Sequence, residues 1–220
     1  MSTHTTRLTL SLYEWMLDNS LREDELLKQL REETAELSEA NMQVAPEQGQ
    51  LLAMLVQISK AKKVIEVGVF TGYSSICMAR ALPDRGKLTA CDISEEWTSV
   101  ARRYWEKAGI TKKINLILSP ASMSLVQLLE KGGEGKYDLI FLDADKENYD
   151  FYYEHCLQLC KSGGIIIIDN MFWDGRVADP CVEDQIVRAL RSLANKLKAD
   201  MRIHFTMVPV GDGMGLILKK

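Results

Sequence analysis

The amino-acid sequence predicts an α/β domain, a doubly wound and mostly parallel sheet with helices on both faces and extra helices in front of it. Three observations carry this prediction. Lys63–Ser75 reads KVIEVGVFTGYSS, a short apolar run that ends in Glu66, Gly68 and Gly72 and then turns into helix-forming residues. From Lys63 onward short apolar runs alternate with helical segments, the pattern of βαβ units. The ends of the first, second, fourth and fifth strand candidates are acidic, and an open parallel sheet binds its ligands beyond those ends.

Residues 7–41 place Leu8, Leu12, Trp15 and Met16, then Leu26, Leu27, Leu30 and Leu37, at helical spacing among many charges, which predicts two helices ahead of the core. The second, from about Asp24, is dense in Glu and Arg and reads as a solvated face. Asn41–Pro46 breaks the periodicity and is a candidate ligand-facing loop; Pro46 suits the first turn of a third helix reaching about Lys60. Strands follow at Val64–Val67, Lys87–Cys91, Ile114–Leu118, Tyr137–Leu142 and Gly164–Ile168, with helices near 73–81, 95–108, 121–131, 146–160 and 180–198. Arg202–Val208 and Gly215–Leu218 have no helix between them and read as a closing antiparallel hairpin. With no internal repeat or linker, residues 1–220 form one domain. Residues 1–60 pack on the site and close it, and residues 61–220 are the binding core.

Composition narrows the function. Hydrophobic content is 46% and charged content 26%, ordinary for a globular protein. The longest apolar run, Gly163–Ile168, is too short to span a bilayer, and MSTHTTR lacks the apolar core of a signal peptide, so a cytoplasmic protein without a membrane partner is expected. A net charge of −4 argues against a nucleic-acid partner. The five cysteines form no C-x-x-C pair, and the Cys156/Cys160 helical spacing reads as buried reduced thiols. The three histidines, His4, His155 and His204, suggest no catalytic triad.

The strand ends carry the chemistry. Gly68-x-x-x-Gly72 lacks the third glycine of a pyrophosphate-binding fingerprint, and Glu66 would repel a pyrophosphate while accepting hydrogen bonds from a neutral or cationic ligand. By itself the pair could also be a ligand-free turn. Asp92 follows Gly68 by 24 residues, the interval at which an acid meets the two ribose hydroxyls of a nucleotide. It could instead cap the next helix, although Ser94 is the better cap and would leave Asp92 free for a ligand. Asp143, Asp169 and Asn170 offer hard oxygen ligands suited to Mg²⁺ or Ca²⁺ and not to zinc; strand-end caps are the plainer alternative. Lys146, three residues after Asp143, could serve as a base or as an ordinary surface cation. Trp173 could wall an aromatic substrate or fill the core. Phe141–Asp145, an apolar strand running into D-x-D, also fits the start of an aspartyl-phosphate phosphatase.

Taken together, VIEVGVFTGYSS, LDADKENY, IIIDNMFWDGRV and GDGMGLILK resemble the cation-dependent class I S-adenosylmethionine O-methyltransferases of the caffeoyl-CoA and catechol type, particularly their small bacterial members. The resemblance implies a Rossmann-like seven-stranded sheet of order 3-2-1-4-5-7-6 with the last strand antiparallel, and a homodimer. It implies that Glu66, Gly68 and Ser74 meet the methionine part of the cofactor, Asp92 the ribose, and Ala121 and Ser122 the adenine, with the Val44 backbone closing over it. Asp143, beside the cofactor, Asp169 and Asn170 would be the metal ligands for Mg²⁺, Ca²⁺ or Mn²⁺, and Lys146 would deprotonate the substrate. Gln48 departs from the glutamate common in plant members. A long insertion near the closing hairpin, which plant members use to hold a thioester, is also missing. The expected activity is methylation of a vicinal-dihydroxy aromatic. The alternatives are the phosphatase and a catalytically silent cofactor-binding module.

Overall fold

The computed structural model describes residues 3–220. Three helices come first: α1 (Leu10–Ser20), α2 (Glu25–Ala35) and α3 (Pro46–Ile58), with a 3-10 turn at Ala40–Met42 between the last two. Each starts where its sequence supplies a cap. Thr9 and Asp24 side chains accept from Leu12 N and Leu27 N, and Pro46 takes the first position of α3. The second helix is more than a solvated face, since Leu27, Leu30 and Thr34 on its inner side are buried. By contrast, α1 has no buried residue.

The core then alternates β1 (Lys63–Val67), α4 (Tyr73–Ala81), β2 (Lys87–Asp92), α5 (Glu95–Lys107), β3 (Ile114–Leu118), α6 (Ala121–Glu130), β4 (Tyr137–Leu142), α7 (Tyr149–Leu159), β5 (Cys160–Ile168) and α8 (Gln185–Ala199), and ends in β6 (Ile203–Val208) and β7 (Met214–Lys219). The seven strands lie in the order β3-β2-β1-β4-β5-β7-β6, with β7 antiparallel to both its neighbours. This is the Rossmann-like order implied by the resemblance. Because β1 pairs with both β2 and β4, the chain changes direction across the sheet at the carboxyl end of β1, which is where a doubly wound sheet opens its crevice.

Alternation along the strands divides the core between two faces. Val64, Leu88, Leu139 and Phe141 pack toward α3, α4 and α5, whereas Ile65, Val67, Ile140, Leu142 and Ile166 pack toward α6, α7 and α8. Each such side chain withdrawn from water contributes about 2 kcal/mol.

Several boundaries differ from the sequence reading, among them the fifth strand, which begins at Cys160 and not at Gly164. The helix expected at 146–160 opens as a 3-10 turn at Lys146–Asn148 and stops at Leu159. Cys160 therefore both caps that helix, its N–H bonded to Cys156 O, and starts a strand; both thiols are free and buried, as the helical spacing suggested. The last core helix begins at Gln185 because Asp184 caps it, and a separate 3-10 turn occupies Arg176–Ala178.

Candidate active site

The site begins with a backbone collision that only glycine avoids. Gly68 holds φ +93°, and a Cβ there would lie 1.8 Å from the Asp143 carbonyl oxygen. The ends of β1 and β4 can therefore come together, fixed by Asp143 N donating to Val67 O at 2.7 Å, while Gly68 N donates across the other edge of β1 to Cys91 O of β2 at 2.9 Å. Asp92 clamps the turn that follows. Its Oδ2 accepts from Val69 N (2.8 Å) and Phe70 N (3.0 Å), which supports Phe70 at φ +53°, and the Phe70 ring meets Trp97 edge-on at 5.2 Å. Its Oδ1 accepts from Ser94 N, while Ser94 itself caps α5. Asp92 is thus neither the helix cap nor wholly free. Three of about four acceptor positions on its carboxylate are taken, which leaves capacity for a hydroxyl donor.

Glu66 lies below the turn rather than in the crevice. It is fully buried, Ser74 Oγ donates to its Oε1 at 2.5 Å, and Ser75 Oγ donates to its Oε2. Burial pushes its carboxyl up to about 8, opposed by the two serine hydroxyls and assisted by the charges of Asp143 and Asp92. Its role is to hold the first turn of α4, whose free N–H groups face the crevice. The folded chain keeps this proton to about pH 8, and the unfolded chain releases it near the ordinary glutamate value of 4.5. The native state therefore binds more protons across that window, and stability falls as pH rises, by at most about 1.4 kcal/mol per unit. Glu66→Gln is expected to flatten this decline, and urea midpoints measured in chelator from pH 5 to 8 check it. An unchanged slope in the variant would overturn the assignment.

Above the turn is a cavity of about 1340 Å³. Val44, Gly68, Ser74, Asp92, Ala121, Ser122, Asp143, Lys146, Asp169, Asn170 and Trp173 all line it, so the structure gathers every predicted site residue except Glu66. At one end, Asp143 and Asp169 stand on adjacent strands, with Asp169 N bonded to Leu142 O at 3.0 Å. Burial, and then the Asp143 charge, raise the Asp169 carboxyl to about 7. Lys146 Nζ donates to Asp143 Oδ1 at 2.7 Å and lies 5.2 Å from the Tyr149 ring centre. Burial alone would lower the lysine's pKa, but Tyr149 and Asp143 outweigh it and hold the ammonium above its ordinary value. Asn170 and Trp173 both adopt positive φ, +56° and +48°, in the loop after β5.

Among the described residues no group of three or more His, Cys, Asp or Glu forms a metal-holding cluster. The donor set in question has only two carboxylates, with an amide as third member. It fits a hard divalent cation, because Asp169 is raised by burial and by the Asp143 charge beside it, and such a cation relieves that crowding of negative charge.

Sequence reasoning missed several supports. Asp212 Oδ2 accepts from Asn170 Nδ2 at 3.1 Å and Oδ1 from Asp174 N at 2.7 Å, so it sets the Asn170 loop. Its signal was available in the Gly211-Asp212-Gly213 turn. Asp145 accepts from Tyr152 OH at 2.7 Å and from Asn148, which makes it a brace for the crevice rather than the second acid of a phosphatase. Ile93 and Trp97 also line the cavity; an exposed apolar residue directly after a strand-end acid was the available clue to Ile93.

The comparisons agree with this geometry. The O-methyltransferase family matches residues 17–220. A protein of Dictyostelium discoideum named probable caffeoyl-CoA O-methyltransferase 1 is 43% identical over 95% of this chain and 92% of its own. Caffeoyl-CoA O-methyltransferase 2 of Petunia hybrida is 43% identical over 94% and 89%. The crystal structure of the O-methyltransferase TomG from Streptomyces achromogenes, in complex with S-adenosylmethionine, superposes with a TM-score of 0.86 at 28% identity, covering 96% of both chains. A glycine turn clamped by an acid, the strand order and matches spanning nearly the whole chain lead to one conclusion: the chain belongs to the class I S-adenosylmethionine-dependent O-methyltransferases of the caffeoyl-CoA O-methyltransferase-like family.

Proposed function

We propose that the protein methylates one hydroxyl of a catechol-like vicinal-dihydroxy aromatic with the help of a divalent cation, Mg²⁺ being the first candidate. The observation that carries this reading is the placement of Asp143, Asp169, Asn170 and Lys146 at one end of the cavity whose other end holds Asp92 and Ala121. When bound, S-adenosylmethionine supplies an electrophilic methyl, and a cation lowers the pKa of a hydroxyl that it holds. Asp143, Asp169 and Asn170 would ligate the cation. Asp92 would accept from the ribose, the α4 N-terminus would receive the methionine carboxylate, and Ala121 and Ser122 would border the adenine. Trp173 would wall the aromatic ring. Lys146 would take the proton of the hydroxyl that becomes methylated, so the protein acts by orientation and proton transfer without a covalent intermediate.

Methyl transfer from S-adenosylmethionine to a panel of catechols, run with EDTA and with excess Mg²⁺, tests the proposal. Activity on the diols is expected only with the metal, and Asp169→Ala is expected to lose it. Turnover that survives both chelation and the substitution would remove the cation from the reading, and turnover confined to monohydroxy acceptors would remove the diol.

A further inference from the structure

Gln48 is 2% exposed at the third position of α3 and lines the same cavity as Asp169. Its Oε1 accepts from Ala45 N at 3.3 Å, closing the first helical turn on itself. Its Nε2 has no partner at full hydrogen-bond geometry, yet the Gln48 side chain lies close enough to Asp169 to oppose the upward push of burial on that carboxyl. An unpaired buried donor is destabilising, so a movement that closes it on a carboxylate oxygen is favourable.

The other side of the amide is fixed by the hairpin loop. Gly211 adopts φ +56°, and a Cβ on it would stand 2.7 Å from Gln48 Oε1. The next residue, Asp212, carries Asn170. One amide therefore lies beside Asp169 itself and against Gly211, the neighbour of the residue that holds Asn170. It also belongs to the helix that continues from residues 41–45, of which Val44 lines the cavity. An ionised carboxylate at this position, the residue common in plant members, would offer Asp169 no donor, so the amide permits a contact particular to this chain.

Resting on the cation-dependent reading above, we propose that Gln48 is a positioning residue that couples the two halves of the site. Its Nε2 closes on the Asp169 oxygen turned away from the cation and draws residues 41–45 inward over the cofactor. Metal and cofactor then strengthen each other's binding through this side chain.

Calorimetry tests the coupling without turnover. S-adenosylhomocysteine is titrated with and without saturating Mg²⁺ into the wild type, Gln48→Met and Gln48→Glu, with urea midpoints confirming that each variant is folded. In the wild type Mg²⁺ is expected to tighten the nucleoside on the order of tenfold. In Gln48→Met that factor is expected to fall to within about twofold of one, while affinity without Mg²⁺ stays within about threefold of wild type. Protease cleavage within residues 41–45 should be suppressed by the two ligands together in the wild type only. Equal coupling in Gln48→Met and wild type would overturn the proposal, as would a wild type that binds both ligands independently. A wild type that binds no Mg²⁺ would remove the cation reading, and this inference with it.

Discussion

Gly68→Ala is expected to abolish binding of S-adenosylmethionine and to destabilise the fold by about 3 kcal/mol or more. The added methyl would sit 1.8 Å from the Asp143 carbonyl oxygen and 2.6 Å from its carbonyl carbon, in a backbone conformation of φ +93°. Both obstacles are main chain, so no rotamer change relieves them. The ends of β1 and β4 would have to part, breaking the bond from Asp143 N to Val67 O and straining the neighbouring bond from Gly68 N to Cys91 O of β2. Gly109→Ala separates the two contributions, because Gly109 also has positive φ, +68°, but a Cβ there meets nothing within 4 Å. That variant should lose only the conformational part, about 1 kcal/mol, and keep its affinity. Urea denaturation and titration of S-adenosylhomocysteine distinguish the two. A Gly68→Ala protein with wild-type midpoint and affinity would show that strand contact is not what shapes the turn.

The parts of this architecture that were legible in the sequence are those encoded by local pattern. KVIEVGVFTGYSS fixes a strand, a glycine turn and a helix start within 13 residues, and the structure places β1 and α4 on either side of that turn. Asp143, Asp169 and Asn170 were readable because each directly follows an apolar strand. What the pattern could not carry is pairing between distant segments. Asp92 looked free, yet two of the N–H groups it accepts lie 22 and 23 residues away in the glycine turn. Glu66 looked like a ligand contact because it sits at a strand end, but alternation turns it toward Ser74 and Ser75 and away from the cavity. Asp212 acts on Asn170 across 42 residues, a distance that no periodicity reports. The helix after Lys146 shifted for a local reason: Asn148 and Asp145 pair across the first turn, which tightens it into a 3-10 start.

Lys146→Met is expected to lower kcat by about 10²–10⁴ while affinity for S-adenosylmethionine stays close to wild type. In the structure the lysine side chain is 12% exposed and its ammonium is bonded to Asp143 at 2.7 Å. Burial disfavours its charge, but Tyr149 and Asp143 more than compensate, so in this arrangement it is a held cation and not a base. It gains basicity only when Asp143's charge is engaged elsewhere, which ties the lysine's role to the ligand set beside it. The consequence is testable with substrate acidity. A catechol carrying a nitro group is already ionised at neutral pH and needs no protein base, so the loss caused by Lys146→Met should shrink toward unity with that acceptor. With an unsubstituted catechol the loss should be largest at low pH and should diminish as the assay pH approaches the hydroxyl's own pKa. Lys146→Arg should not restore the rate, because guanidinium keeps its proton. If Lys146→Met loses the same factor on both acceptors and at every pH, the lysine is a structural counter-ion of Asp143. Proton removal would then have to be assigned to solvent or to another group in the crevice.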